Sequence, residues 1–169
     1  MLKRRYFLMA GVLAVCLVTI PLFLERDGQV VLDDADWALA SLNELDGTME
    51  VLTDGNAHPP IYQVNILRPG KGLEDIHLEK LVPAEVLGAQ KPLSLRFKAR
   101  AATPRRIRTT LQSAQSDTWT SDVELSREWQ EFRLPIKTSV ATTGSSILAF
   151  QIGGASGEVA ITEIQVVQS

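Results

Sequence analysis

Over residues 91–112 apolar and polar side chains alternate with a period of two, a pattern no helix can use. In the first arm Leu93, Leu95, Phe97 and Ala99 fall on one side, and Ser94, Arg96, Lys98 and Arg100 on the other. A turn at Ala102, Thr103 and Pro104 leads to a second arm. There Ile107, Thr109 and Leu111 alternate with Arg106, Arg108, Thr110 and Gln112. Both arms read as half-buried antiparallel strands. Pro104 has no N–H to give a ladder and its φ suits a turn, so it belongs to the connection. One face of each arm enters a core; the other is polar and rich in arginine.

The rest of the chain repeats this grammar in shorter pieces. Strands are expected at 48–52, 61–66, 75–79, 93–100, 106–112, 119–125, 131–136, 147–152 and 159–167. Turn residues separate them: Asp54-Gly55-Asn56, Pro59-Pro60, Pro69-Gly70, Gly88, Pro104 and Gly153-Gly154. Residues 28–36 read as a short link with an apolar centre, and 81–87 have room for a turn or two of helix. No later segment holds a helical period. The fold expected is all-β, a jelly-roll β-sandwich of two antiparallel sheets, preceded by one N-terminal transmembrane or signal helix.

That N-terminal segment is Lys3-Arg4-Arg5 followed by an apolar run over residues 6–24, long enough to span a bilayer as a helix. Retained basic residues put the following domain outside. Three fates compete. An uncleaved anchor is preferred; a cleaved signal lacks a small-x-small site close by, and a lipoprotein signal fits poorly around Cys16. The expected division is therefore residues 1–27 as signal or anchor and 28–169 as the sandwich. The domain would stand at the outer side of the cytoplasmic membrane, periplasmic or extracellular, or be secreted if the segment is cleaved.

Cys16 is the single cysteine, so the exported part has no internal disulfide. Three of the 17 basic residues and none of the 20 acidic ones lie in the first 24, which leaves 14 against 20, a net charge of −6. An acidic domain is poorly suited to neutralising phosphates, so nucleic acid is not an expected partner.

Catalytic chemistry finds little to work with. His58 and His77 are the only histidines, too few for a zinc site with one cysteine. Ser156 lacks the glycine-x-serine-x-glycine spacing of a nucleophile elbow, and no glycine loop with lysine cradles a phosphate. The chain is expected not to be an enzyme.

Alternation in the other strands leaves Gln63, Asn65, His77 and Gln151 facing away from the core. Alongside the central arms they would collect amides, guanidinium groups and an imidazole on one sheet surface. With an indole from Trp119, that mixture suits sugars. An ordinary solvated face is the plain alternative. Trp119 stands open between platform and packing, whereas Trp129, at a strand start, reads as a packing or rim residue.

The order of several short motifs resembles carbohydrate-binding module families 4 and 9, galactose-binding-like jelly rolls appended to polysaccharide-active enzymes. Leu32-Asp33-Asp34 with Trp37 is similar to the family's opening, and residues 93–101 to its central strand. Glu128-Trp129-Gln130-Glu131-Phe132 resembles its tryptophan-led strand, and Ala149-Phe150-Gln151-Ile152-Gly153-Gly154 its penultimate one. The resemblance implies a non-catalytic glycan-binding domain with Arg108, Trp119 and Gln151 in its cleft; the alternation adds Arg96, Gln63, Asn65 and His77 as flanks. The resemblance covers roughly residues 30–168.

Two departures qualify this. The family often has an acid near Thr162 that supports a structural calcium; without it no cofactor is expected, although Asp33, Asp34 and Glu163 remain. A second cleft amide is replaced by Ile147. The alternative is a protein-interaction or structural subunit of an envelope or exopolysaccharide-secretion complex that uses the sandwich without sugar.

Overall fold

The structure, a computed structural model, describes residues 29–41, 46–53, 59–87, 92–113, 118–137 and 145–168. The apolar run at 6–24, Cys16, His58 and the expected turns at 54–56 and Gly88 lie outside the described residues. No helix among the described residues is long and apolar enough to cross a membrane.

Eleven strands are described: β1 (Gln29–Leu32), β2 (Ala38–Ser41), β3 (Gly47–Leu52), β4 (Ile61–Ile66), β5 (Ile76–Val82), β6 (Leu93–Ala101), β7 (Arg105–Ser113), β8 (Trp119–Leu125), β9 (Gln130–Ile136), β10 (Ser146–Gln151) and β11 (Gly157–Gln168). A single helical turn, α1 (Ala84–Leu87), follows β5. All nine expected strands are present with small shifts at their ends. Two were missed: β1, read as a link, and β2.

The strands form two antiparallel sheets, a β-sandwich of jelly-roll type. One sheet runs β3-β4-β11-β6-β9, with β1 also paired to β11; the other runs β2-β5-β10-β7-β8. The two central arms do not neighbour each other. β6 belongs to the six-stranded sheet and β7 to the five-stranded one. The cause lies in the connection. Ala101 N–H donates to the Ser126 carbonyl and Ala102 N–H to the Glu158 carbonyl, at 2.8 and 3.0 Å, so neither is free to close a hairpin. Pro104 offers no N–H at all, and the chain crosses to the opposite sheet.

Between the sheets the inward faces meet as the alternation required. Leu93, Leu95, Phe97 and Ala99 on β6, Ile107, Thr109 and Leu111 on β7, and Leu148 and Phe150 on β10 are all buried. Phe97 from one sheet meets Phe150 from the other edge-on, ring centres 4.9 Å apart, and Trp37 tilts against Phe150 at 5.3 Å. Phe132 stacks on Phe97 from β9. Edge and tilted contacts of this kind are the favoured aromatic geometry, and here they tie the two layers together.

One glycine fixes the end of β10. Gly153 N–H donates to the Leu73 carbonyl at 2.9 Å and its carbonyl accepts from Gly70 N–H at 3.0 Å. A Cβ there would lie 2.8 Å from the Ile76 nitrogen and about 3 Å from the Gly72 and Leu73 carbonyls, all backbone atoms that cannot swing away. Gly153→Ala is expected to cost about 1–3 kcal/mol, the range for overpacking a closed site, read as a lower melting temperature.

Candidate functional site

Register places one polar row across the outward face of the five-stranded sheet. His77 on β5 is opposite Gln151 on β10, Gln151 is opposite Arg108 on β7, and Arg108 is opposite Asp122 on β8. At about 4.8 Å between strands the four side chains span about 14 Å. On β2, Ala40 continues the row beyond His77. The adjacent row is Ala38, Glu79, Ala149, Thr110 and Thr120. Small side chains beside long polar ones keep the surface low and leave the row accessible.

Each end of the row is held by charge. Arg108 grips Asp122 with two hydrogen bonds, Nε to Oδ1 at 2.7 Å and the second guanidinium nitrogen to Oδ2 at 3.2 Å. Arg106 adds a longer contact to Asp122 at 3.9 Å. The hydrogen bond from Arg108 lowers the Asp122 pKa below its ordinary 3.8. The pairing is therefore present above that pH and is lost as the pH falls through the lowered value. A guanidinium has five donors, and two serve Asp122. At the other end His77 is oriented by the Glu74 carbonyl near Nδ1, 3.0 Å, and Glu79 near Nε2, 3.1 Å. A hollow of about 450 Å³ bordered by Lys71, Glu74, Arg105, Arg106 and Arg108 adjoins the row.

The other sequence candidates lie elsewhere. Trp119 is opposite Leu111 on the core side of β8 and is 9% exposed. It packs between the sheets and does not reach the polar row. Gln63 and Asn65 on β4 and Arg96 on β6 are on the six-stranded sheet, since β4 pairs β3 and β11 and β6 pairs β11 and β9. Gln63 donates to Glu158 at 3.0 Å, and Arg96 is opposite Arg133 and Gln165. Arg108, Gln151 and His77 are thus brought together, and the remaining four are not. Sequence reasoning missed Asp122, which only cross-strand register could have matched to Arg108.

Two of the acids that the family resemblance links to calcium, Asp33 and Glu163, already hold ammonium groups. Lys80 lies on the inward parity of β5 and runs its stem along the core rim, as long basic side chains do. Its ammonium donates to the Asp33 carbonyl and Oδ1, both at 3.2 Å, and to the Ala35 carbonyl at 2.5 Å. Asp33 is lowered from its ordinary pKa chiefly by that hydrogen bond, whereas burial raises Asp34. Glu163 takes Lys98 at 2.8 Å, and the Thr162 hydroxyl donates to the Pro60 carbonyl. No cluster of three metal-ligating side chains occurs among the described residues. A dication wanting several oxygens would have to compete with a lysine for them.

No family model matches the chain, and no curated protein matches it in sequence. Solved structures do. A family 4 carbohydrate-binding module superposes with a TM-score of 0.63 at 19% identity, covering 83% of this chain and 94% of that one. A family 22 xylan-binding domain from Paenibacillus barcinonensis gives 0.61 at 11% identity, covering 84% and 96%. The second N-terminal cellulose-binding domain of a Cellulomonas fimi β-1,4-glucanase gives 0.61 at 16% identity, covering 86% and 97%. The chain has the two-sheet jelly-roll fold of these carbohydrate-binding modules.

Proposed function

We propose that the chain is a non-catalytic glycan-binding domain whose ligand lies across the outward face of the five-stranded sheet. The observation that carries the reading is the row His77–Gln151–Arg108, backed by Asp122. Guanidinium donors and an amide that both donates and accepts can serve adjacent sugar hydroxyls, beside an imidazole whose two nitrogens are held by Glu74 and Glu79. The fold supports it, since the similar structures include xylan-binding and cellulose-binding domains. Among the described residues this face carries no Phe, Tyr or Trp side chain, so recognition rests mainly on hydrogen bonds. Such a shallow, wet surface gives modest affinity.

The same proposal puts the domain outside the cytoplasmic membrane, tethered by residues 6–24 behind Lys3-Arg4-Arg5. Electrophoresis of the full-length protein through gels containing neutral or acidic polysaccharides tests the binding. Retarded migration in one glycan class is expected; unretarded migration in all of them counts against it.

The domain is further proposed to fold without a metal, with Lys80 as its internal cation. Chelators should leave the melting temperature unchanged, while Lys80→Met should lower stability by at most about 1 kcal/mol, since the oxygens it releases are open to water. A melting temperature that falls on chelation would reverse this assignment.

One observation favours the protein-interaction reading. Leu81 and Ile147 are cross-strand partners on the same outward face, 63% and 40% exposed. A stoichiometric envelope partner that survives Arg108→Ala and is lost in Ile147→Lys would establish it.

A further inference from the structure

A second cleft is on the other sheet. It measures about 950 Å³ and is walled by Leu52, Pro59 and Trp129, with Lys98, Glu131 and Glu163 among its polar groups. Trp129 is 38% exposed, and no other aromatic side chain among the described residues is as open to solvent. Trp37 and Trp119 are buried. The Arg100 guanidinium lies over the Trp129 ring, 4.9 Å from its centre, which pins the indole at the rim.

A second, independent feature points into the same place. The β11–β6 register shifts between Thr162 and Gln165, and Glu163 sits in the left-handed backbone region with φ 52°. That conformation is unfavourable for a residue with a side chain, and bulges re-aim side chains. Here the carboxylate is brought to Lys98, across the cleft floor from Glu131.

We infer that this cleft is a second sugar site, separate from the polar row, and that it takes uncharged hexopyranose units. Indole offers a flat apolar plate for the C–H face of a pyranose ring. Carboxylates only accept hydrogen bonds, and sugar hydroxyls supply the donors. Lys98 is neutralised by Glu163, and Glu131 with the nearby Glu50 outweighs Arg100 at the rim, so the cleft is net negative and uronates or sulfated sugars are disfavoured. The inference shares its ligand class with the functional reading but none of its residues, so each can fail alone.

The test is tryptophan fluorescence of the full-length protein titrated with neutral and uronic-acid oligosaccharides, with iodide quenching as a second readout. A neutral glycan is expected to give a saturable spectral shift and to protect Trp129 from iodide. An acidic glycan should do neither. Arg108→Ala should leave the signal intact, since it alters only the other sheet. Glu131→Gln retains the ring and exchanges one acceptor for an amide, and it should weaken binding severalfold with an unchanged far-ultraviolet spectrum. Trp129→Ala should abolish the calorimetric heat assigned to this site. An unshifted and equally quenched Trp129 under neutral glycan overturns the second site, even where Arg108-dependent binding persists. A signal abolished by Arg108→Ala also overturns it, because the response would then belong to the polar row.

Discussion

Phe150→Ala is expected to destabilise the domain by about 3–5 kcal/mol, the range for truncating a buried phenylalanine. Phe150 is fully buried and touches Phe97 from the opposite sheet and Trp37 from the segment before β2. Truncation removes its own transfer free energy and opens a cavity that neither neighbour can fill without leaving a favoured ring geometry. Domains of this size have about 5–15 kcal/mol in total, so the melting temperature should fall by about 10–15 °C. Thermal denaturation followed by near-ultraviolet circular dichroism reads it. A fall of only a degree or two would mean that the two sheets are not locked through this ring. Trp119→Ala belongs to the same class: it is a core truncation, expected to lower stability rather than to strip a platform from a binding face.

Arg108→Ala and Gln151→Ala carry the second large effect, and it is on binding. Both side chains lie on the outward face of strands whose inward residues make the core, so their removal leaves the packing intact. Arg108 is a surface residue paired with Asp122, and exposed pairs contribute little to stability. Losing a charged donor to a ligand hydroxyl costs about 1.5–3 kcal/mol, which is about 10- to 100-fold in Kd. Each variant should therefore melt within about a degree of the parent, while glycan retention falls by about tenfold or more in Arg108→Ala and by about 2- to 10-fold in Gln151→Ala, whose amide is neutral. Arg108→Lys separates charge from shape: it retains the charge but loses the fork, and should recover only part of the affinity. Undiminished retention in Arg108→Ala would move the ligand off this face.

Much of the fold could be read from the chain because inward and outward parity is local. Leu93 to Ala99, Tyr62 to Ile66 and Leu148 to Phe150 needed only a period of two to declare their buried sides. Trp119 was legible in the same way: Val123 and Leu125 share its parity, and the three side chains enter the core together. Strand neighbours are a different matter, since pairing is settled by connections and long-range register. Arg96 and Arg108 are twelve residues apart and face opposite directions, because Ala102–Pro104 crosses between sheets. Pairing of β4 with β3 and β11 likewise separates Gln63 and Asn65 from the row that holds Gln151. β1 and β2 were hidden for another reason: four residues each, at or near sheet margins, they owe their form to β11 and β5 rather than to their own pattern. Glu163 shows the limit most sharply. Nothing in Thr162-Glu163-Ile164 announces a bulge, yet the bulge turns a carboxylate toward Lys98.

Chemical-shift mapping of the isotopically labelled full-length protein during glycan titration is the most direct test of the proposed binding face. Saturable shifts at His77, Ala149, Gln151, Arg108 and Thr110, following one binding isotherm and lost in Arg108→Ala, are the predicted result. A folded protein in which β5, β10 and β7 remain unperturbed by every neutral and acidic glycan would contradict sugar binding on the five-stranded sheet.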